Sequence, residues 1–366
     1  MKRIVVLIFC LSLSLSNLYS QKSADDKNVS KNYSESVSYK PTEFPGNKNK
    51  KEKKRKSNPA KEKNADVLEV KRSVFVPVTV VNEQNTVVAD LKPSDFQLFV
   101  DDRQITDFSV ENLEENLNII LLLDTSPSAE FKIKDLQDYA VAFVESLKPQ
   151  DKVMVADFNG NLKIRNEFTN DRQIIKKAIS KTRIGGGTSL YDVIEKVFKQ
   201  KIANMGGRTA LVLVTDGVDT TSRDSDYEKS LETVERYDVP VFVVYLDTFG
   251  HVSNFPKNNR IPLVILGQMG QIMKPQNVDA FKIDYERGKY YLNDLVSLSG
   301  GRVSLFENIS NSQNIVLPKF AEELRLKYYL KFTPPKTAES GSRKQIKVRV
   351  NRPNLFLLAK GSYIAN

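Results

Sequence analysis

The sequence predicts a doubly wound α/β sheet over residues 117–330, with a small β module built from the segments on either side of it. Two apolar runs point to the sheet, Leu-Asn-Ile-Ile-Leu-Leu-Leu at 117–123 and Ala-Leu-Val-Leu-Val-Thr at 210–215. Runs of this kind suit strands buried on both faces of a parallel sheet. They alternate with segments of helical period, which is the pattern of βαβ units. A third observation, period-two alternation near both ends of the chain, points to the module.

At the amino end, Lys2 and Arg3 precede an apolar stretch from Ile4 to Leu15, then Asn17-Leu18-Tyr19-Ser20-Gln21. This is the layout of a Sec signal peptide over residues 1–20, and its apolar part is too short to span a bilayer. Cleavage is expected after Ser20, although Leu18 stands where a small residue is usual. The expected destination is the periplasm, the cell surface or the medium. Cys10 is the one cysteine of the 366 residues. Phe9 before it and the apolar stretch beyond it argue against a lipoprotein anchor. An exported form without Cys10 relies on an ordinary apolar core and has no thiol nucleophile.

Residues 21–66 are expected to form a disordered basic linker. Between 22 and 63, thirteen Lys or Arg stand against six Asp or Glu, with Pro41, Pro45 and Pro59 and very few aliphatic residues. Such a composition buries too little apolar surface to offset the entropy of ordering. Residues 22–63 supply +7 of the net +10, and Lys2 and Arg3 supply two more, so the remainder is nearly neutral. The basic run 48–56 suits an anionic surface such as polysaccharide or lipid. A solvated spacer is the plainer reading, and nucleic acid is not expected as a partner outside the cytoplasm.

Over 67–116, Val74, Val76, Val78 and Val80 alternate along one strand, and Phe96–Val100 reads as another. From 117 onward strands are expected at 118–123, 153–158, 210–215, 241–246 and 302–306, with an antiparallel edge strand at 161–168. Helices are expected between Ile133 and Leu147 and at 174–179, 190–202, 227–237, 290–299 and 315–326. Residues 248–288 break the rhythm with Pro256, Pro262 and Pro275, and read as an irregular insertion. Residues 331–366 complete the chain with further strands that join the β module.

The chemistry concentrates at strand ends. The first apolar run stops in Asp124-Thr125-Ser126-Pro127-Ser128, and the second in Thr215-Asp216-Gly217; between them lies Gly185-Gly186-Gly187-Thr188-Ser189. In an open α/β sheet ligands bind beyond the carboxyl ends of the strands, so Asp124 and Asp216 are expected at one edge. The glycines let Thr188 approach them without steric cost. Carboxylates and hydroxyls are the oxygen donors a hard cation such as Mg²⁺ takes. Taken singly, Ser128 and Ser189 also suit helix N-caps.

This ordered set resembles the von Willebrand factor A domain and its metal-ion-dependent adhesion site. The resemblance covers about 117–330 and implies a Rossmann-like fold. It implies that Ser126, Ser128 and Thr188 ligate Mg²⁺ (with Mn²⁺ or Ca²⁺ as alternatives) through hydroxyls. Asp124 and Asp216 would bind directly or through water, and an open position would accept Glu or Asp from a protein partner. Ala129 stands where the family often has Met and Pro127 where Gly is common; neither supplies a ligand. The flanks, among them Leu91-Lys92-Pro93-Ser94-Asp95-Phe96 and Tyr328-Tyr329-Leu330-Lys331-Phe332, are similar to exported bacterial VWFA-related proteins of the Acidobacterial type. That likeness implies strands from both termini in one β module.

The resulting expectation is an exported, non-enzymatic adhesion module. One alternative is an envelope assembly factor tethered by its basic tail, its metal site weak or unused. A metal-dependent hydrolase has less support. His251 is the one histidine and lies in the insertion, no Lys follows the glycine loop as phosphate binding requires, and Ser126 stands where an aspartyl phosphatase needs a second Asp. Asp157, Asp219 and Asp224 are further carboxylates available to a cluster.

Overall fold

The computed structural model describes residues 33–36, 73–84, 86–111, 116–203, 205, 208–249, 278–306, 316–325, 328–334 and 339–365. The expected signal peptide, most of the expected linker and residues 250–277 of the insertion, including His251, lie outside the described residues. In chain order the first strands are β1 (Ser34–Glu35), β2 (Val74–Asn82), β3 (Phe96–Val100), β4 (Arg103–Ile105) and β5 (Phe108–Glu111). The α/β part follows with β6 (Asn118–Asp124), α1 (Ile133–Ser146), β7 (Lys152–Phe158), β8 (Leu162–Ile164), α2 (Arg172–Ser180) and α3 (Leu190–Val197). It continues through β9 (Thr209–Thr215), α4 (Tyr227–Glu235), β10 (Val241–Tyr245), α5 (Val278–Ser299), β11 (Arg302–Leu305) and α6 (Val316–Arg325). Last come β12 (Tyr328–Phe332), β13 (Arg343–Val350), β14 (Leu355–Ala359) and β15 (Ser362–Ile364).

The central sheet has the order β11-β10-β9-β6-β7-β8, parallel except for the edge strand β8. Alternate residues of its strands enter two separate cores. Ile119, Leu121 and Leu123 pack with α1, α2 and α6, while Ile120 and Leu122 pack with α3, α4 and α5. That two-sided burial is why the strand is apolar throughout instead of alternating. β6 pairs in parallel with β7 on one side and β9 on the other, so the chain order reverses beside it. The carboxyl ends of β6 and β9 flank this switch point, where open α/β sheets hold their ligands.

Strands from both ends of the chain interleave as expected. β2 lies between β12 and β14, β12 also pairs with β5, and β3 lies between β13 and β4. Their inward residues, Val76, Val78, Val80, Leu98, Leu330 and Val348 among them, form a third core. Tyr328 and Tyr329, expected within 117–330, thus belong to this module.

Two expectations are corrected. Residues Tyr33–Ser36, expected within the disordered linker, lie against the module: β1 pairs antiparallel with Arg349 and Val350, and Ser34 and Ser36 are buried. Their hydroxyls satisfy buried backbone groups, a role that apolar patterning does not reveal. Residues 278–288, expected as irregular insertion, are the first half of α5. Tyr285, Tyr291, Leu292 and Leu295 are buried along this helix and hold it on the sheet.

Candidate functional site

The parallel register builds the site. Leu123 lies beside Val214, so Asp124 closes β6 next to Thr215, and Asp216 follows directly after β9. The Thr215 hydroxyl donates to Asp124 Oδ2 at 2.6 Å, and the Ser126 N–H donates to Asp124 Oδ1 at 2.9 Å. The Ser128 hydroxyl donates to Asp216 Oδ2 at 2.6 Å and lies 3.1 Å from the Ser126 hydroxyl. Four of the five singled-out residues are therefore joined in one hydrogen-bonded chain.

Thr188 reaches the same edge through its backbone. The Gly185 N–H donates to Thr125 O at 3.0 Å, beyond β6, and the Thr220 N–H donates to Thr188 O at 2.8 Å, beyond β9. The Thr188 N–H in turn donates to Thr220 Oγ1 at 2.9 Å. The glycine loop is thus clamped between the two strand ends. Gly187 has φ +71°, in the left-handed region, and a Cβ there would meet the Thr221 side chain at 2.7 Å. Glycine satisfies both constraints at once.

Electrostatics give the site its character. Asp124 is 1% exposed and Asp216 2%. Burial first, and then the neighbouring charge of Asp216, push the Asp124 carboxyl from an ordinary 3.8 up to about 7. Asp216 is also raised, chiefly by burial. Two carboxylates that resist ionising together mark a position where positive charge is favourable. Beside them stand hydroxyls, which coordinate hard cations without adding charge. Two carboxylates and three hydroxyls fit Mg²⁺, Mn²⁺ or Ca²⁺. Among the described residues no group of three or more His, Cys, Asp or Glu is placed to hold a metal ion.

The other carboxylates are engaged elsewhere. Asp157 pairs with Arg165, whose Nη2 lies 3.0 Å from Oδ2, and accepts from the Thr125 hydroxyl. Asp219 accepts from the Tyr191 N–H at 3.2 Å and from Ser222. Asp224 is exposed, 3.7 Å from Lys196.

Three residues that sequence reasoning passed over touch the site. Thr215 holds Asp124, while the Thr248 hydroxyl donates to Asp216 Oδ2 at 2.7 Å and lies 2.7 Å from the Tyr285 hydroxyl. Thr215 had a usable signal, since it ends the parallel strand β9; Thr248 had a weaker one, three residues beyond the end of β10. Tyr285 had none, being 37 residues from Thr248.

Residues 118–260 match the family model of the von Willebrand factor type A domain. This region is a von Willebrand factor type A domain. The A domain belongs to a family of protein-interaction and adhesion modules. BatB from Bacteroides thetaiotaomicron is similar at 16% identity, the match covering 57% of this chain and 98% of that one with a TM-score of 0.39. A von Willebrand factor type A protein from Catenulispora acidiphila matches at 10% identity over 80% of this chain and 73% of its own, with a TM-score of 0.39. The vWF domain of the type V pili tip protein Mfa5 from Porphyromonas gingivalis matches at 15% identity. That likeness covers 29% of this chain and 39% of the other, with a TM-score of 0.27. No curated protein matches. Among the described residues, no helix is long and apolar enough to cross a membrane.

Proposed function

We propose that the A domain is an exported, non-enzymatic binding module that captures an acidic residue of a protein partner through a divalent cation, Mg²⁺ first. The observation that carries this reading is the chain Asp124, Ser126, Ser128, Asp216, in which two buried carboxylates with raised affinity for protons are bridged by hydroxyls. Ser126, Ser128 and Thr188 would hold the cation by their hydroxyls, and Asp124 and Asp216 by their carboxylates, directly or through water. When bound, the cation offers an open coordination position to a carboxylate oxygen from outside. Thr215, through its bond to Asp124, and the clamped glycine loop keep the donors in place before any partner arrives.

Export is supported by Lys2, Arg3 and the apolar stretch from Ile4 to Leu15. Binding without catalysis rests on the sequence: no Lys follows the Gly185-Gly186-Gly187-Thr188 loop as phosphate binding requires, and Ser126 stands where an aspartyl phosphatase needs a second Asp. The test is calorimetric titration with Mg²⁺ and Mn²⁺, joined to capture of envelope proteins with and without EDTA. Asp124→Ala and Asp216→Ala should each abolish metal binding and EDTA-sensitive capture. If both variants kept both properties, the reading would fail.

A further inference from the structure

Helix α5 touches the loop carrying Asp216 in two independent ways. The first is a directed chain of hydroxyls. Thr248 is 2% exposed, and its hydroxyl donates to Asp216 Oδ2 at 2.7 Å. A hydroxyl carries one proton, so with that proton on Asp216 the second contact, 2.7 Å to the Tyr285 hydroxyl, is one in which Tyr285 donates. Tyr285 is 6% exposed; burial, and then the negative charge of Asp216, hold its hydroxyl protonated well beyond the ordinary phenol range. The order is therefore Tyr285 O–H to Thr248 Oγ1, and Thr248 O–H to Asp216 Oδ2. It ends on the same carboxylate oxygen that accepts from Ser128.

The second contact is backbone on backbone. A Cβ at Gly288 would lie 2.7 Å from Gly217 O, and a Cβ at Gly217 would lie 2.9 Å from Gly288 O. Tyr285 and Gly288 are one helical turn apart and therefore on one face of α5. That face is registered against Asp216 and Gly217 at both points.

We propose that Thr248 and Tyr285 are positioning residues of the Asp124–Asp216 site, and that through them helix α5 responds to occupation of the site by a cation. The inference rests on the metal-site reading above and extends it to residues that are not ligands. Thr248 and Tyr285 fix which way the Asp216 oxygens face. An outer hydrogen-bond partner of this kind typically carries a tenfold to hundredfold effect on metal affinity. Conversely, a cation that draws on Asp216 Oδ2 changes how strongly that oxygen holds Thr248, and so how firmly Tyr285 ties α5 down.

The test uses the full chain and two readouts, Mg²⁺ affinity by calorimetry and hydrogen exchange of peptides within 278–299. In the wild type, Mg²⁺ should change exchange around Tyr285. Thr248→Val and Tyr285→Phe should weaken Mg²⁺ binding roughly 10- to 100-fold and remove the effect on exchange. Thr248→Ser keeps the hydroxyl and should restore both, which separates the lost bond from a damaged fold. Equal affinities in all four proteins, with α5 exchange indifferent to Mg²⁺, would overturn the proposal while leaving the metal site standing. A wild-type chain that binds no Mg²⁺ would bring down the site itself, and this inference with it.

Discussion

Glu235 and Arg343 are joined across the line between the A domain and the β module, 108 residues apart in sequence. The Arg343 Nε lies 2.8 Å and 2.9 Å from the two Glu235 oxygens and its Nη2 2.7 Å from one of them, while the Ser362 hydroxyl donates to the same carboxylate. Glu235 is 0% exposed. Lys360, 1% exposed, repeats the device on Asp238 and Tyr237 O, at 2.7 Å and 2.9 Å. A buried charge stripped of its partner costs about 3 kcal/mol or more, whereas an apolar pair of similar volume costs much less. Arg343→Met should therefore lower stability by about 3 kcal/mol in urea titrations. The double variant Glu235→Leu with Arg343→Met should be more stable than Arg343→Met alone. Additive losses would show that the pair is not coupled.

Metal-free stability should depend on pH through the two site carboxylates. Asp124 binds its proton up to about pH 7 when folded against 3.8 ordinarily, so between those values the folded chain holds more protons than the unfolded one. Stability then falls as pH rises through this window. Asp216 is shifted the same way and adds to the fall. Metal binding displaces these protons, so Mg²⁺ should raise the melting temperature more at pH 8 than at pH 5. Asp124→Asn should flatten the metal-free decline. Thermal melts at both pH values decide it: an Mg²⁺ effect independent of pH would contradict the assignment.

Gly288→Ala sets two effects against each other. In an exposed helix interior, Ala is favoured over Gly by about 1 kcal/mol. Here the added methyl would stand 2.7 Å from Gly217 O and 2.8 Å from Gly217 C, backbone atoms that no rotamer change can move aside. The contact should win, with a net loss of about 1 kcal/mol, or a few degrees in melting temperature, and weaker Mg²⁺ binding alongside. A higher melting temperature would mean that α5 slides freely over the Asp216 loop.

These contacts also show where sequence reading stops. β6 and β9 were legible because burial on both faces leaves an apolar run that nothing else explains. Asp124, Ser126, Ser128 and Asp216 were legible because strand ends collect them at one edge. Thr188 needed only a glycine loop. Thr248 and Tyr285 left no local pattern, since a chain of hydroxyls depends on where a helix returns and not on spacing. Gly288 in the middle of α5 reads as a loop signal, although it is there for a close backbone approach. Ser34 and Ser36 were hidden for a related reason: edge pairing uses backbone and hydroxyls, so a segment of the expected linker with no aliphatic residue docks, with the Tyr33 ring against the Arg349 guanidinium.

That docking makes a last prediction, about what kind of stability Tyr33–Ser36 contributes. The Ser34 hydroxyl donates to Arg352 O at 2.8 Å and accepts from the Leu355 N–H at 2.9 Å. Ser36 accepts from the Val348 N–H at 2.9 Å and returns its own N–H to Val348 O at 2.8 Å. Removing both hydroxyls leaves buried groups unpaired, at about 1–3 kcal/mol each while the strand stays in place. The segment lies at the sheet's edge, however, and by lifting away it lets water take over the bonds. Local opening therefore caps the cost, and the remaining fold does not have to share it. Ser34→Ala with Ser36→Ala should accordingly speed hydrogen exchange at Val348 and Leu355 while leaving the global melting temperature almost unchanged. A melting temperature that dropped together with the exchange protection would instead make Tyr33–Ser36 part of the cooperative core.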